Sequence, residues 1–163
     1  MTYGAIQPDI VALGKGITSS LPLSAVLSRK DLFDIDEKAD LHGTHSANAV
    51  CAAAALANIE FLSSKKETDR RRKTIPVFEK ELSSLSQFKR LVKKVNVRGL
   101  IAGIIFHTTE DATAVVHECV ARGVLPVCTN RESIKIAPPL TMPADAIKEA
   151  VGVIRDILAS RSA

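Results

Sequence analysis

Cysteine is scarce in this 163-residue chain: there are three, at positions 51, 119 and 128. The number is odd and the spacing matches no zinc motif, which argues against a disulfide framework or a structural metal and makes a reducing cytoplasm the expected compartment. Long apolar runs are also missing. "CAAAALA" and "GLIAGIIF" are far shorter than the roughly 18–20 residues of a bilayer span, and "MTYGAIQPD" has neither a basic nor an apolar leader region. The expectation is a soluble protein made without a signal and without a membrane partner. Tryptophan is absent and the aromatics are one tyrosine and five phenylalanines. None of them falls in the densest basic run, "KKETDRRRK" from Lys65 to Lys73, which Glu67 and Asp69 also interrupt. With a net charge of only +4, that run reads as the solvated face of a helix, and nucleic acid is not expected as a partner.

What is present is an ordinary globular mix, 46% hydrophobic and 25% charged, which excludes a disordered tail and suffices for one or two packed cores. Turn residues bound two short apolar runs, Ile10 to Leu13 and Leu23 to Leu27, giving strand, loop, strand. Lys15 stands at the tip of the first strand between Gly14 and Gly16. Asn48 is placed to cap an alanine-rich helix whose small face, Cys51 to Ala57, admits close approach of another backbone. Ile75, Phe78, Leu82 and Leu85 recur at helical spacing, so 75–90 reads as an amphipathic helix. There follow a strand with a glycine turn at Arg98-Gly99, a helix begun by Thr109 or Asp111 and ended by Gly123, strands over "VLPVC" and "SIKIAPPL", and a closing helix. That last helix has Pro143 early in its first turn and apolar positions at 147, 151, 154 and 158. The α-β-α-β-β-α order is that of an α+β unit. The expected division lies near 66–75, with parts 1–70 and 71–163, no flexible linker and no internal repeat.

Three segments could carry chemistry. A lysine flanked by glycines has bare backbone beside it, and its amine can serve as a Schiff-base partner. On spacing alone, a solvated turn is the simpler reading of Lys15. "HGTHSANAV" gathers hydroxyls and His42 and His45 before a helix N-terminus, where a phosphate could dock; plain capping by Ser46 or Asn48 is the alternative, and no carboxylate or cysteine stands at metal-ligand spacing. In "SIKIAPPL", alternation separates Lys135 from Ile134 and Ile136, so Lys135 could hold a substrate carboxylate or be merely solvated. Arg98 and Arg131 are alternative carboxylate holders. His107 and His117 have no evident nucleophile or acid partner, and Cys119 and Cys128 read as small core residues.

Taken in order, these segments resemble the class III, or ornithine/4-aminobutyrate-type, aminotransferases, pyridoxal-phosphate enzymes of fold type I. "PDIVALGKGITSSLPLSAVLSR" is similar to the family's active-site segment and "HGTHSANAVCAAAALANIEFL" to its G-T-x-x-x-N-P loop and alanine-rich helix. "VRGLIAGIIF", "ARGVLPVC" and "IKIAPPLTM" follow in the family's C-terminal order, so the resemblance runs from about Tyr3 to Leu158. It implies an α/β fold: the end of the large domain with an interdomain helix over 1–70, and the small α+β domain over 71–163. It also implies pyridoxal 5'-phosphate as cofactor, Lys15 as the catalytic lysine bound to it, and Thr44 as a phosphate contact serving the neighbouring subunit of a homodimer. The implied activity is transamination between an amino acid or ω-amino acid and an oxo acid. Two departures stand out: Lys135 replaces the family's arginine before the paired prolines, exchanging a planar fork for a point charge, and Ala49 replaces a proline. The family's ring-nitrogen acid, phosphate-binding glycine loop and stacking aromatic precede the lysine and cannot lie in a chain whose lysine is at 15; Asp9, within the "PDI" segment, is no substitute. The resemblance therefore implies the C-terminal portion of an enzyme, incomplete and inactive alone, whose partner is a second copy or the missing N-terminal half. A non-catalytic truncated fragment and an aminomutase of the same fold are the rival readings.

Overall fold

The structure, a computed structural model, describes residues 6–33 and 43–162. It divides into two compact units, Met1–Ser64 and Lys65–Ala163.

In the first unit, β1 (Ile10–Leu13) pairs antiparallel with β2 (Ala25–Ser28), Ile10 opposite Ser28 and Leu13 opposite Ala25. Between them the chain makes one turn of 3-10 helix, Lys15–Ile17, and a four-residue helical turn α1 (Lys30–Phe33) follows β2. The helix α2 (Ala49–Ser63) starts where expected, because the Asn48 carboxamide oxygen accepts from the amides of Val50 and Cys51, both at 3.1 Å. Its apolar residues surround it rather than forming one stripe: Cys51 and Ala55 are buried while Val50, Leu56, Ile59 and Phe61 are exposed.

The second unit holds the core. Its helix α3 (Lys65–Ser84) begins about ten residues before the apolar periodicity predicts and ends in a 3-10 turn, Leu85–Gln87. The basic run is helical without an apolar stripe because its charges pair along the helix, Glu67 with Arg70 and Asp69 with Arg72, and Pro76 is accommodated inside. The expected strand with a glycine turn is a hairpin of two strands, β3 (Val92–Arg98) and β4 (Ile101–Phe106), so the unit has one more strand than the sequence reading assigned. Gly99 turns the corner with φ +59, and its amide donates to Glu79 Oε1 at 2.8 Å.

The helix α4 (Thr109–Ala121) is capped by Thr108 rather than by Thr109 or Asp111, and Gly123, at φ +81, follows its end. Of "VLPVC" only β5 (Val127–Cys128) pairs, since Pro126 has no N–H to give to a ladder. β6 (Ser133–Ile136) lies between β4 and β5 in an antiparallel sheet of order β3-β4-β6-β5. The helix α5 (Ala144–Ser162) starts just after Pro143, whose carbonyl accepts from Ile147.

One sheet face, Ala102, Ile104, Phe106 and Ile134, packs on Phe78 and Leu82 of α3, Val115 and Cys119 of α4, and Ile147, Val151, Ile154 and Leu158 of α5. The other face, with Asn96, Ile101, Lys135 and Val127, is exposed. Arg155 joins Glu81 at 2.5 Å and Arg161 joins Glu118 at 2.6 Å, tying α5 to α3 and to α4. Among the described residues no helix is long and apolar enough to cross a membrane.

Candidate active site

Lys15 follows β1 directly and occupies the left-handed region, with φ 49. A lysine rarely adopts that conformation, and strain of this kind gathers at functional positions. The residue is exposed, and a Cβ added at Gly14 or at Gly16 would meet nothing within 4 Å, so space is open on both sides of the lysine. Lys15 lines an open depression of about 430 Å³ together with Leu21, Pro22, Leu23 and Ser24.

The turn has three supports. Ile17 N donates to the Gly14 carbonyl and Ser19 N to the Gly16 carbonyl, each at a long 3.3 Å. Buried Thr18 donates through Oγ1 to the Leu21 carbonyl. The third comes from α2: Asn58 Nδ2 donates to the carbonyls of Gly16 at 2.8 Å and Ile17 at 3.0 Å. The sequence reading missed Asn58. Its signal was an amide that favours caps and turns standing inside an alanine-rich helix.

Thr44 lies in the turn that leads into α2. Ser46 closes this turn rather than capping the helix: its amide donates to the Gly43 carbonyl, and its hydroxyl accepts from Gly43 N, both at 2.9 Å. Asn48 takes the first helical amides, so the N-terminus of α2 is not the open set of N–H groups the sequence suggested. What remains for an anion is the Thr44 side chain itself, which is exposed. Asn48 and Asn58 are ten residues apart, about 15 Å along the helix axis. The Lys15 turn and the Thr44 turn thus attach to α2 at different levels. His45 is exposed beside Thr44, and His42 lies outside the described residues.

Lys135 belongs to the second unit. It is exposed on β6, opposite Gly103 of β4 and Val127 of β5. Lys135 and Arg98, alternatives in the sequence, line one shallow depression of about 360 Å³ with Asn96, Ile101 and Gly103. Two cations on one open sheet face can attract a carboxylate from solvent. Arg131 is exposed in the bend before β6. His107 Nε2 lies 3.0 Å from the Lys89 carbonyl, and His117 is exposed on α4. Burial pushes the Cys119 thiol up to about 11, with the Glu118 carboxylate adding and Arg122 partly offsetting. This is an inert core thiol.

Comparison with known proteins bears on this arrangement. The chain is 30% identical over 155 residues to an acetylornithine aminotransferase of Gloeobacter violaceus, covering 94% of this chain and 38% of that protein. It is 29% identical over 159 residues to a mitochondrial ornithine aminotransferase of Drosophila melanogaster, covering 97% and 36%. The chain thus spans less than two fifths of the length of these relatives. The crystal structure of an acetylornithine aminotransferase from Elizabethkingia anophelis superimposes with a TM-score of 0.85 at 26% identity, covering 96% of this chain and 40% of that one. The model of the aminotransferase class-III family matches residues 1–158, and the chain belongs to that family.

Proposed function

We propose that the protein to which this chain belongs transfers an amino group between an amino acid or ω-amino acid and an oxo acid with pyridoxal 5'-phosphate, and that Lys15 is its catalytic lysine. The observation that carries this reading is the Lys15 turn: an exposed amine, held at φ 49 between two open glycines, beside a depression with Leu21, Pro22 and Leu23 on its wall. The donor set fits the cofactor, with a primary amine for an aldehyde, apolar wall for a ring and a hydroxyl at Thr44 for a phosphate. When bound, pyridoxal phosphate supplies the electron sink that stabilises negative charge at the substrate α-carbon.

The remaining roles fall to this chain. The Lys15 amine binds the cofactor at rest and accepts the proton leaving the substrate α-carbon. The Thr44 hydroxyl donates to phosphate, in the active site of a second copy. Lys135 holds a substrate carboxylate as a point charge. Residues 1–70 are proposed as the cofactor-binding part and 71–163 as the small domain, in a protein of the cytoplasm.

The chain by itself is proposed to be inactive. The buried core cluster lies wholly within the unit Lys65–Ala163, while α2 is apolar all round and exposes Val50, Leu56, Ile59 and Phe61. A helix of that kind needs further protein around it, whether a second copy or the remaining part of a family-length protein.

The test is to express the chain with all coding sequence in frame with it, add pyridoxal phosphate, reduce with borohydride and map the adduct. The adduct is expected on Lys15 and lost in Lys15→Ala. Adduct spread evenly over surface lysines would sink the reading. Analysis of products then separates a transaminase from an aminomutase, which needs no second substrate.

A further inference from the structure

We propose that Asn58 is a positioning residue for the Lys15 amine, an inference that rests on the cofactor reading of Lys15. The 15–17 turn carries a lysine in an unfavourable backbone region, and its own backbone closes it with two long hydrogen bonds of 3.3 Å, while the Thr18 hydroxyl bonds onward to the Leu21 carbonyl. Its two shorter bonds come from one side chain 42 and 41 residues away, where Asn58 Nδ2 reaches the successive carbonyls of Gly16 at 2.8 Å and Ile17 at 3.0 Å. Both partners are carbonyls and only accept, so the nitrogen end of the carboxamide must face them. One amide thereby fixes two consecutive peptide planes just after Lys15. That sets the direction in which the lysine leaves the backbone. The amide stands on a helix of 15 residues, the kind of rigid element that can hold a reactive group in place.

The prediction is separable from stability. Asn58 is only half-buried, and Asn58→Asp keeps its shape while replacing the donor with an acceptor. In the protein expressed with all of its in-frame coding sequence, Asn58→Ala and Asn58→Asp should leave the thermal midpoint and the amide protection of α2 unchanged. Amide exchange at Ile17 and Ser19 should rise about tenfold, as expected for losing two modest hydrogen bonds from a local turn. The share of borohydride-fixed pyridoxal phosphate found on Lys15, relative to all other lysines, should fall by a similar factor, and the absorbance band of the bound cofactor should shift.

A Lys15 share within twofold of wild type in Asn58→Asp overturns the proposal, as does loss of α2 protection in both variants, since Asn58 would then support the helix and not the turn. If Asn58→Ala alone loses that protection, Asn58→Asp decides. Should the wild-type protein label no lysine preferentially, the cofactor reading is what fails. Exchange at Ile17 and Ser19 then decides the clamp by itself, acceleration in both variants keeping it and unchanged exchange overturning it.

Discussion

Lys135 of β6 stands directly opposite Gly103 of β4, so the cation rises beside a strand position that has no side chain. A Cβ at Gly103 would meet nothing within 4 Å, so the glycine leaves a gap in the sheet face that Arg98 and Lys135 rim.

On the proposed function, Lys135→Met should raise KM for the carboxylate substrate about tenfold, the loss of one charge-assisted contact. Lys135→Arg should lower KM, because a planar fork can hold both carboxylate oxygens. Lys135 is exposed, so neither change should move stability by more than about 0.5 kcal/mol. Steady-state kinetics beside thermal melts make the check; an unchanged KM in Lys135→Met would remove Lys135 from substrate binding.

Leu82→Ala and Ile154→Ala should each cost about 2–5 kcal/mol, since both side chains are completely buried between α3, α5 and the sheet. Leu56→Ala, at a position 59% exposed on α2, should cost no more than about 0.5 kcal/mol. Urea midpoints of the three variants measure the contrast. Similar losses in all three would mean that α2 is already covered.

Thr108→Ala should destabilise by about 1 kcal/mol. The Thr108 hydroxyl accepts from Asp111 N at 3.1 Å and donates to Asp111 Oδ2 at 2.8 Å, closing the first turn of α4 from both sides. Thr108→Ser keeps both bonds and should stay near wild type in the same urea experiment.

Stability should fall as pH rises from about 9 to about 11. Burial raises the Cys119 thiol from an ordinary 9.0 to about 11, so across that window the folded state keeps a proton that the unfolded state releases. Below about pH 9 the thiol is neutral in both states and its contribution is whole. Urea midpoints across pH 8 to 11 should decline less steeply in Cys119→Ala, and equal slopes would contradict the assignment.

Much of the local structure was legible because it rests on short-range chemistry. Asn48 marks the start of α2, Gly123 follows the end of α4, and positions 147, 151, 154 and 158 of α5 are all buried. Errors arose where local patterns were silent. The basic run has no apolar stripe, so the sequence pattern places the start of α3 ten residues late, and Pro126 cuts a five-residue strand to two. At the N-terminus of α2, sequence could place the hydroxyls and the amide but not decide which of them took the helical N–H groups.

The order of its motifs by itself determined the family of this chain and singled out Lys15, Thr44 and Lys135, because chemical residues at characteristic spacings survive in the linear sequence. Only tertiary structure decided how Lys15 is held and what Lys135 stands beside. The Asn58 bonds cross more than forty residues, and the pairing of Lys135 with Gly103 depends on the register of two strands separated by a helix. Both are contacts between distant segments, and no window of sequence contains both partners.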